Sequence, residues 1–174
     1  MRSQERPIRI LVLGASGSGK TTLGGQIAEH LDLPFVRTDP IFWTDDWRPT
    51  PRDEVRRWLV KTAARDAWVL DGNFDGDREL IWGRAQLAVW LDLPASLTLA
   101  RVARRNLGWW LARRRVWGGG RMTLAKALGG VRHTARTHGA KRGDYPAMLA
   151  EFSELEVVRL SSPAAVRAWL ADLD

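Results

Sequence analysis

Residues 14–21 read Gly14-Ala15-Ser16-Gly17-Ser18-Gly19-Lys20-Thr21, which fits the pattern G-x-x-x-x-G-K-[ST] at every position. An apolar run from Ile8 to Leu13 precedes this loop and is suited to a buried strand, and a predicted helix, Thr22 to Leu31, follows it. The glycines let backbone N–H groups approach an anion at a helix N-terminus, where the helix dipole favours negative charge. The sequence therefore predicts a strand, loop and helix that bind phosphate.

The residue types in this loop point to a nucleotide, with ATP and Mg²⁺ as the expected cofactors. Lys20 is placed to reach the β and γ phosphates and is a predicted catalytic residue, and the Thr21 hydroxyl is a predicted Mg²⁺ ligand. A simple turn with a solvated lysine is the alternative, but turn chemistry does not require the Lys-Thr pair. The predicted nucleotide-binding residues are Gly14, Ala15, Ser16, Gly17, Ser18, Gly19, Lys20, Thr21 and Thr22.

Length and composition indicate one cytoplasmic domain, residues 1–174. The absence of cysteine excludes disulfides, thiolate metal sites and thiol catalysis, and it is compatible with a reducing compartment. No apolar run approaches the roughly 20 residues of a membrane span, so no membrane partner is expected. The apolar run after Arg2 and Arg6 is too short for a signal peptide and continues directly into the glycine-rich loop.

The net charge of +7 is concentrated in residues 101–142, which hold twelve of the 27 basic residues and no Asp or Glu. Such a segment indicates an anionic partner, namely nucleotide phosphates, a phosphorylated substrate or a nucleic acid backbone. A solvated helical face is the alternative, but such faces usually mix both signs of charge. We interpret residues 101–142 as a basic segment that contains a lid.

Strands and helices alternate along the chain, which predicts an α/β fold with a parallel sheet. After the first strand, the predicted strands are Leu33 to Val36, Trp68 to Leu70, Leu87 to Leu91 and Glu156 to Leu160. After the first helix, the predicted helices are Arg52 to Asp66, Leu97 to Leu107, Met122 to Arg136, Pro146 to Leu155 and Pro163 to Leu173. The segment Gly108 to Gly120, rich in arginine and glycine, is expected to be mobile.

Three carboxylates follow predicted strand ends, the edge at which open parallel sheets bind ligands. Asp71 is predicted to bind Mg²⁺ opposite Thr21. Asp39 is a predicted catalytic residue that orients an acceptor hydroxyl or accepts its proton. Capping or turn formation is the alternative for both. For Asp92 we favour simple helix initiation, because it stands in an Asp-x-Pro sequence.

Further side chains are predicted to complete the site. Phe42 and Trp43, just beyond Asp39, and Asn73, just beyond Asp71, are expected to bind the acceptor. Arg101 and Arg105 lie four residues apart on one face of a predicted helix, where two guanidinium groups can clamp a transferring phosphoryl group. We therefore predict both as catalytic; an exposed surface pair is the alternative.

With these motifs the chain resembles the P-loop nucleoside and nucleotide kinases of the adenylate and shikimate kinase superfamily. More narrowly, it is similar to the bacterial DNA topology modulation proteins. The resemblance rests on the phosphate loop and on later motifs: Asp39-Pro40-Ile41-Phe42-Trp43, Asp71-Gly72-Asn73-Phe74, Leu91-Asp92-Leu93-Pro94 and Arg101-x-x-x-Arg105.

The resemblance implies a three-layer α/β/α P-loop NTPase with a five-stranded parallel sheet of order 2-3-1-4-5 and a helical basic lid. It also implies that Arg101 and Arg105 flank this lid over ATP, and that Ser161 to Ala164 lie beside adenine. Adenylate kinases have Asp-Gly-Phe-Pro-Arg where this chain has Asp71-Gly72-Asn73-Phe74-Asp75, which argues against AMP as the acceptor.

The sequence therefore predicts an enzyme, an ATP-dependent and Mg²⁺-requiring phosphotransferase. Its acceptor is expected to be a small hydroxyl or phosphate compound of nucleoside-like or nucleotide-like character. The alternative is a nucleotide-responsive nucleic-acid-binding protein with little phosphotransfer, which is less favoured because no helix-turn-helix or similar reading module is recognisable. The sequence makes no prediction of oligomeric state.

Overall fold

The computed structural model describes residues 7–42, 48–116 and 120–173, and its centre is a parallel sheet. The sheet strands are β1 (Arg9–Gly14), β2 (Phe35–Arg37), β3 (Trp68–Asp71), β4 (Leu87–Leu91) and β7 (Glu156–Leu160). Two short strands between β4 and β7, β5 (Arg115–Val116) and β6 (Gly120–Arg121), pair antiparallel as a separate hairpin. The sheet order is β2-β3-β1-β4-β7, so the predicted order 2-3-1-4-5 is confirmed, β7 being the fifth strand of this sheet along the chain.

Seven helices occupy the described residues, and none of them is long and apolar enough to cross a membrane. Their bounds are α1 (Lys20–His30), α2 (Asp39–Phe42), α3 (Arg52–Ala63), α4 (Arg78–Trp82), α5 (Ala95–Leu111), α6 (Leu124–Ala150) and α7 (Pro163–Ala171).

Alternate residues of the central strands enter two different cores, because side chains of a strand point to opposite faces of a sheet. On β1, Leu11 and Leu13 pack with residues of α3, α4 and α6. Ile10 and Val12 of the same strand pack with residues of α1 and α7 on the opposite face. Both faces are therefore covered, and the predicted three-layer α/β/α architecture is confirmed.

Two predicted segments differ from the structure. Residues 108–111 continue α5, and residues 115–116 and 120–121 form the β5–β6 hairpin, so part of the segment Gly108 to Gly120, which was expected to be mobile, is helix or strand. The predicted helices Met122 to Arg136 and Pro146 to Leu155 form one helix, α6, with Pro146 inside it. Proline removes one helical hydrogen bond, but Tyr145 and Leu149 on either side of it are buried in the core and hold the helix together.

The five parallel strands end at one edge of the sheet. This edge carries the glycine-rich loop after β1, Thr38 after β2, Asp71 at the end of β3 and Asp92 after β4. The sheet thus brings together polar groups that are far apart in sequence.

Candidate active site

The loop of residues 14–21, the phosphate loop, has a backbone that needs glycine. Gly17 and Gly19 have φ values of 78° and 101°, a region that side-chain-bearing residues rarely adopt. A Cβ atom at Gly17 would also lie 2.6 Å from the carbonyl oxygen of Thr98 on α5. Gly19 is the N-cap of α1 and no side chain caps this helix, so its N-terminus is suited to an anion.

Lys20 lies at the start of α1 and folds back over the loop. Its Nζ donates hydrogen bonds to the carbonyl oxygens of Gly14 at 2.8 Å and Ala15 at 3.0 Å. Lys20 also lines the central cavity and lowers the pKa of Asp71 through its charge. The ammonium group therefore lies within the site that the sequence assigned to phosphate.

Thr21 and Asp71, the two predicted metal ligands, are in direct contact. The Thr21 hydroxyl donates to Oδ2 of Asp71 at 2.5 Å, and the backbone N–H of Thr38 donates to Oδ1 at 3.0 Å. Burial raises the pKa of Asp71 above its ordinary value; the hydrogen bonds from Thr21 and Thr38 oppose this rise, and the negative charge of Asp39 adds to it. A cation bound at this pair would favour the ionised carboxylate.

The two predicted arginines of α5 reach the cavity at different places. Arg101 donates from Nη1 to the carbonyl oxygen of Ser18 at 3.1 Å, so it contacts the phosphate loop. The guanidinium of Arg105 lies 4.8 Å from the ring centroid of Trp109, a cation–π distance. Burial lowers the pKa of Arg105, and the negative charge of Asp39 opposes this effect, which places Asp39 and Arg105 within electrostatic reach of one another.

A cavity of about 1010 Å³ joins most of the predicted site residues. It is lined by Asp39, Phe42, Asp71, Asn73, Arg101, Arg105 and the loop residues from Ser16 to Thr22. Gly14 and Ala15 are absent from its lining, and Trp43 lies outside the described residues. Asn73 also supports the loop, because its Oδ1 accepts a hydrogen bond from the Gly14 N–H at 3.3 Å.

Several lining residues were not predicted. Lys126, His133 and Thr137 enter the cavity from α6, and Arg167 enters from α7. Lys126 belongs to the basic segment 101–142, but the sequence did not assign it to the site, and His133 has no metal-ligand spacing. Pro163, within the segment that the resemblance placed beside adenine, also lines the cavity. The cavity therefore continues from the phosphate loop towards α6 and α7.

Helix α6 is fixed to the edge of the sheet by polar contacts that sequence reasoning missed. Nε2 of His138 donates to the carbonyl oxygen of Leu93 at 3.0 Å. Arg142 from α6 and Arg159 from β7 both bind the buried carboxylate of Asp92, at 2.8 Å and 2.5 Å. Asp92 was expected to initiate a helix, and this prediction is wrong, because the N-cap of α5 is Pro94. Asp92 instead forms ion pairs with Arg142 and Arg159.

Tyr145, farther along α6, connects this helix to the phosphate loop. Burial raises the pKa of the Tyr145 hydroxyl, the charge of Asp75 adds to the rise, and a hydrogen bond with the backbone of Gly14 opposes it. Its ring stacks on Trp82 at a centroid distance of 6.4 Å and packs at a tilt against Trp90 at 5.4 Å. Tyr145 thus holds the first residue of the phosphate loop from the side of α6.

The residues present fit a magnesium nucleotide. Mg²⁺ usually keeps several waters and takes one or two protein oxygen ligands, and the Thr21 hydroxyl and the Asp71 carboxylate offer such a pair. Within residues 7–42, 48–116 and 120–173, no group of three or more His, Cys, Asp or Glu side chains could hold a metal on its own. The buried Ser18 hydroxyl, for which the described residues provide no hydrogen-bond partner, faces the same cavity.

Comparison with known proteins finds kinases among the sequence relatives and among the solved structures of similar fold. No family model matches the chain. The cytidylate kinase of Pyrococcus horikoshii is 32% identical over 114 residues, which are 56% of this chain and 57% of that protein. The chain thus spans about half the length of the curated relatives it matches.

Solved structures match nearly the whole chain. A gluconokinase from Sinorhizobium meliloti 1021 superposes with a TM-score of 0.54 and 24% identity, covering 98% of this chain and 93% of that one. The protein has the P-loop kinase fold. A shikimate kinase from Acinetobacter baumannii, in complex with shikimate, has the same fold at a TM-score of 0.55 and 19% identity, covering 95% of this chain and 90% of that one. The cavity described above lies beyond the carboxyl ends of the parallel strands.

Proposed function

We propose that this protein is an ATP-dependent, Mg²⁺-requiring phosphotransferase that acts on a small acceptor of nucleoside-like or nucleotide-like character. The observation that carries this proposal is the contact between the Thr21 hydroxyl and the Asp71 carboxylate at 2.5 Å, at the start of the helix that bears Lys20. Both groups line one cavity with Asp39 and Arg105, which supports a donor site and an acceptor site within the same cavity. The sequence likeness to a cytidylate kinase supports the same reaction class.

In this proposal each group has a distinct role. When bound, ATP supplies the phosphoryl group and Mg²⁺ neutralises charge on its β and γ phosphates. Thr21 and Asp71 would hold the metal, and the Lys20 ammonium would exchange its loop carbonyl partners for phosphate oxygens. Arg101 and Arg105 stabilise the negative charge of the transferring group, and Asp39 orients the acceptor and takes its proton.

The test is a survey of acceptors in which ATP consumption is followed with the native protein and Lys20→Met. Lys61→Met is the matched control, because Lys61 is an exposed lysine on α3 that does not line the cavity. We expect the Lys20 variant to remain folded and to lose at least about 10²-fold in turnover. Native turnover in a folded Lys20→Met protein would contradict the proposed function.

The alternative function, nucleic-acid binding by the basic segment, is favoured by one observation. Arg113, Arg114, Arg115 and Arg121 are all exposed around the β5–β6 hairpin. A DNA-binding role predicts affinity for duplex or single-stranded DNA without ATP, falling steeply with salt. Replacing Arg113, Arg114 and Arg115 together would then weaken DNA binding and leave ATP affinity unchanged.

A further inference from the structure

The side chain of Asn106, on α5, is a buried amide beside the candidate active site. It is only 4% exposed, and Asn106 lines the cavity. Its Oδ1 accepts a hydrogen bond from Nε of Arg105 at 3.3 Å, and its Nδ2 donates to the carbonyl oxygen of Ala127 on α6 at 3.2 Å. One amide thus joins a predicted catalytic arginine to the backbone of a second helix.

The chemistry of these two partners fixes the orientation of the Asn106 amide. A guanidinium only donates hydrogen bonds, and a backbone carbonyl only accepts them. A flipped amide would therefore place its NH₂ group against Arg105 and its oxygen against the Ala127 carbonyl, and it would lose both bonds. Because a buried amide without partners costs folding free energy, the oxygen is held on the side of Arg105.

Two contacts of different kinds hold the guanidinium of Arg105. It lies 4.8 Å from the ring centroid of Trp109, about one turn farther along α5. A cation–π contact tolerates rotation of the guanidinium over the ring, whereas the hydrogen bond from Nε to Asn106 is directional. Asn106 therefore sets how Arg105 presents its guanidinium to the cavity, which both residues line.

A glycine on α6 leaves the room that the Asn106 amide occupies. A Cβ atom at Gly130 would lie 2.6 Å from Nδ2 of Asn106, well inside the distance at which two such atoms attract. The nearest atom is the end of a side chain and not backbone, so a methyl group at Gly130 would displace the amide of Asn106. The placement of α6 thus acts on Asn106 through both Ala127 and Gly130.

We propose that Asn106 is a positioning residue for phosphoryl transfer: it orients the Arg105 guanidinium and makes that orientation depend on the placement of α6 against α5. This inference rests on the proposed function, in which Arg105 stabilises the transferring group. Helix α6 begins shortly after the β5–β6 hairpin and also brings Lys126 to the cavity. A shift of the start of α6 is thereby transmitted to Arg105 through one amide.

The first measurement requires no activity. NMR follows the exchange of the Arg105 Nε–H proton with water in the nucleotide-free protein, and the signal is assigned by its loss in Arg105→Lys. We expect Asn106→Leu to speed this exchange about tenfold or more, because the hydrogen-bond acceptor is gone while a side chain of similar volume keeps the helices packed. Unchanged exchange in a folded Asn106→Leu protein would overturn the inference.

A second variant leaves Asn106 in place, so the inference stays testable if Asn106→Leu does not fold. Gly130→Ala is compared with Gly139→Ala, because both positions lie within α6 and both gain the same helix preference. A Cβ atom at Gly139 would meet nothing within 4 Å, and Gly139 does not line the cavity. We expect only Gly130→Ala to speed exchange at Arg105 and to lower kcat about tenfold. Equal behaviour of the two variants would overturn the link to α6.

A double-mutant cycle separates positioning from a structural role. ATP turnover is measured with the acceptor that the survey finds, or with water as the acceptor where it finds none. We expect Asn106→Leu to lower kcat about tenfold while the KM for ATP changes by less than about twofold, and to have no further effect in an Arg105→Ala background. An equal loss of kcat in both backgrounds would make Asn106 structural only and overturn the inference.

The inference and the proposed function fail in different ways. Lys20-dependent turnover that persists unchanged in folded Asn106→Leu and Gly130→Ala proteins overturns the positioning role and leaves the phosphotransferase standing. Absence of any Lys20-dependent turnover, with exchange at Arg105 altered as expected, overturns the proposed function and leaves the contact between Asn106 and Arg105 standing.

Discussion

The hydroxyl of Thr21, on the first turn of α1, donates a hydrogen bond to the carboxylate of Asp71 at the end of β3, across 50 positions of sequence. Asp71 is only 4% exposed, and Lys20 and Asp39 both act on its charge. The contact joins the phosphate loop to the neighbouring strand. The carboxylate of Asp71 is therefore buried even when no Mg²⁺ is bound, and this burial affects the stability of the nucleotide-free protein.

Asp71→Asn is expected to stabilise the nucleotide-free protein at neutral pH. Burial raises the pKa of Asp71 in the folded state, so ionisation costs folding free energy that is absent at low pH and develops as the pH rises through the folded-state pKa. Asparagine removes this cost and still has polar atoms for Thr21 and Thr38. Thermal unfolding should show a higher melting temperature for the variant at pH 7, with the difference shrinking towards pH of about 4.

The same variant should lose the stabilisation that ATP and Mg²⁺ give to the native protein, because the metal loses its carboxylate. Asp53→Asn is the control, since Asp53 is an exposed carboxylate on α3. If Asp71→Asn is less stable than the native protein at every pH, the hydrogen bonds that the ionised Asp71 carboxylate accepts stabilise the fold by more than its burial destabilises it.

Much of this site could be predicted from the sequence, because its parts are local or follow strand ends. The phosphate loop needs Gly17 and Gly19 for its positive φ angles, and those requirements are visible as glycines at fixed spacing. Thr21 and Asp71 are distant in sequence, but both were expected at one sheet edge. The order of five parallel strands followed from the resemblance to P-loop kinases.

The anchoring of α6 could not be predicted, because Pro146 was interpreted as the start of a new helix. His138, Arg142 and Tyr145 are spaced so that one face of a continuous helix carries all three, but they fell between two predicted helices. Local propensity disfavours proline within a helix, and here tertiary packing of Tyr145 and Leu149 outweighs it. The partners Leu93, Asp92 and Gly14 depend entirely on the tertiary fold.

Tyr145→Phe should separate positioning from packing. The change keeps the aromatic ring against Trp82 and Trp90 and removes the hydrogen bond to Gly14. We expect a loss of about 1 kcal/mol in the free energy of unfolding, and weaker binding of ATP and Mg²⁺ because the phosphate loop is held less firmly. Urea denaturation and calorimetry measure the two effects. Unchanged nucleotide affinity would mean that Asn73 alone positions the Gly14 backbone.

The arginine pair around Asp92 should be strongly non-additive. Arg142 and Arg159 are about half exposed, at 48% and 55%, while the Asp92 side chain is 2% exposed. Replacing either arginine by alanine leaves the other bound, so each change should cost about 1 kcal/mol. The double variant leaves a buried carboxylate without a cation and should cost about 3 kcal/mol or more.

Urea denaturation of the two single variants, the double variant and Arg57→Ala tests this expectation. Arg57 is an exposed arginine on α3 and serves as the control. Simple additivity of the two single changes would show that water reaches Asp92 and that the two ion pairs act independently. A small effect of the double change would show that α6 is held by its apolar contacts.

The basic segment 101–142 is expected to act as a lid over bound ATP. Arg113 and Arg114 lie between α5 and β5, and Arg115 is the first residue of β5. All three are exposed, so trypsin should cleave there in the nucleotide-free protein. If the segment closes over bound ATP, its arginines approach the phosphates and cleavage slows, by roughly tenfold when the closed form dominates. Arg84, exposed in the turn after α4, provides the reference site within the same molecule. Mass spectrometry of the fragments should show protection at residues 113–115 and none at Arg84, and Lys20→Met should abolish the protection.

Equal cleavage with and without ATP and Mg²⁺, under conditions where calorimetry shows the nucleotide bound, would exclude a lid role. Salt-sensitive DNA binding by the nucleotide-free protein would then identify the segment as a nucleic-acid surface, because phosphate contacts weaken as counterion concentration rises.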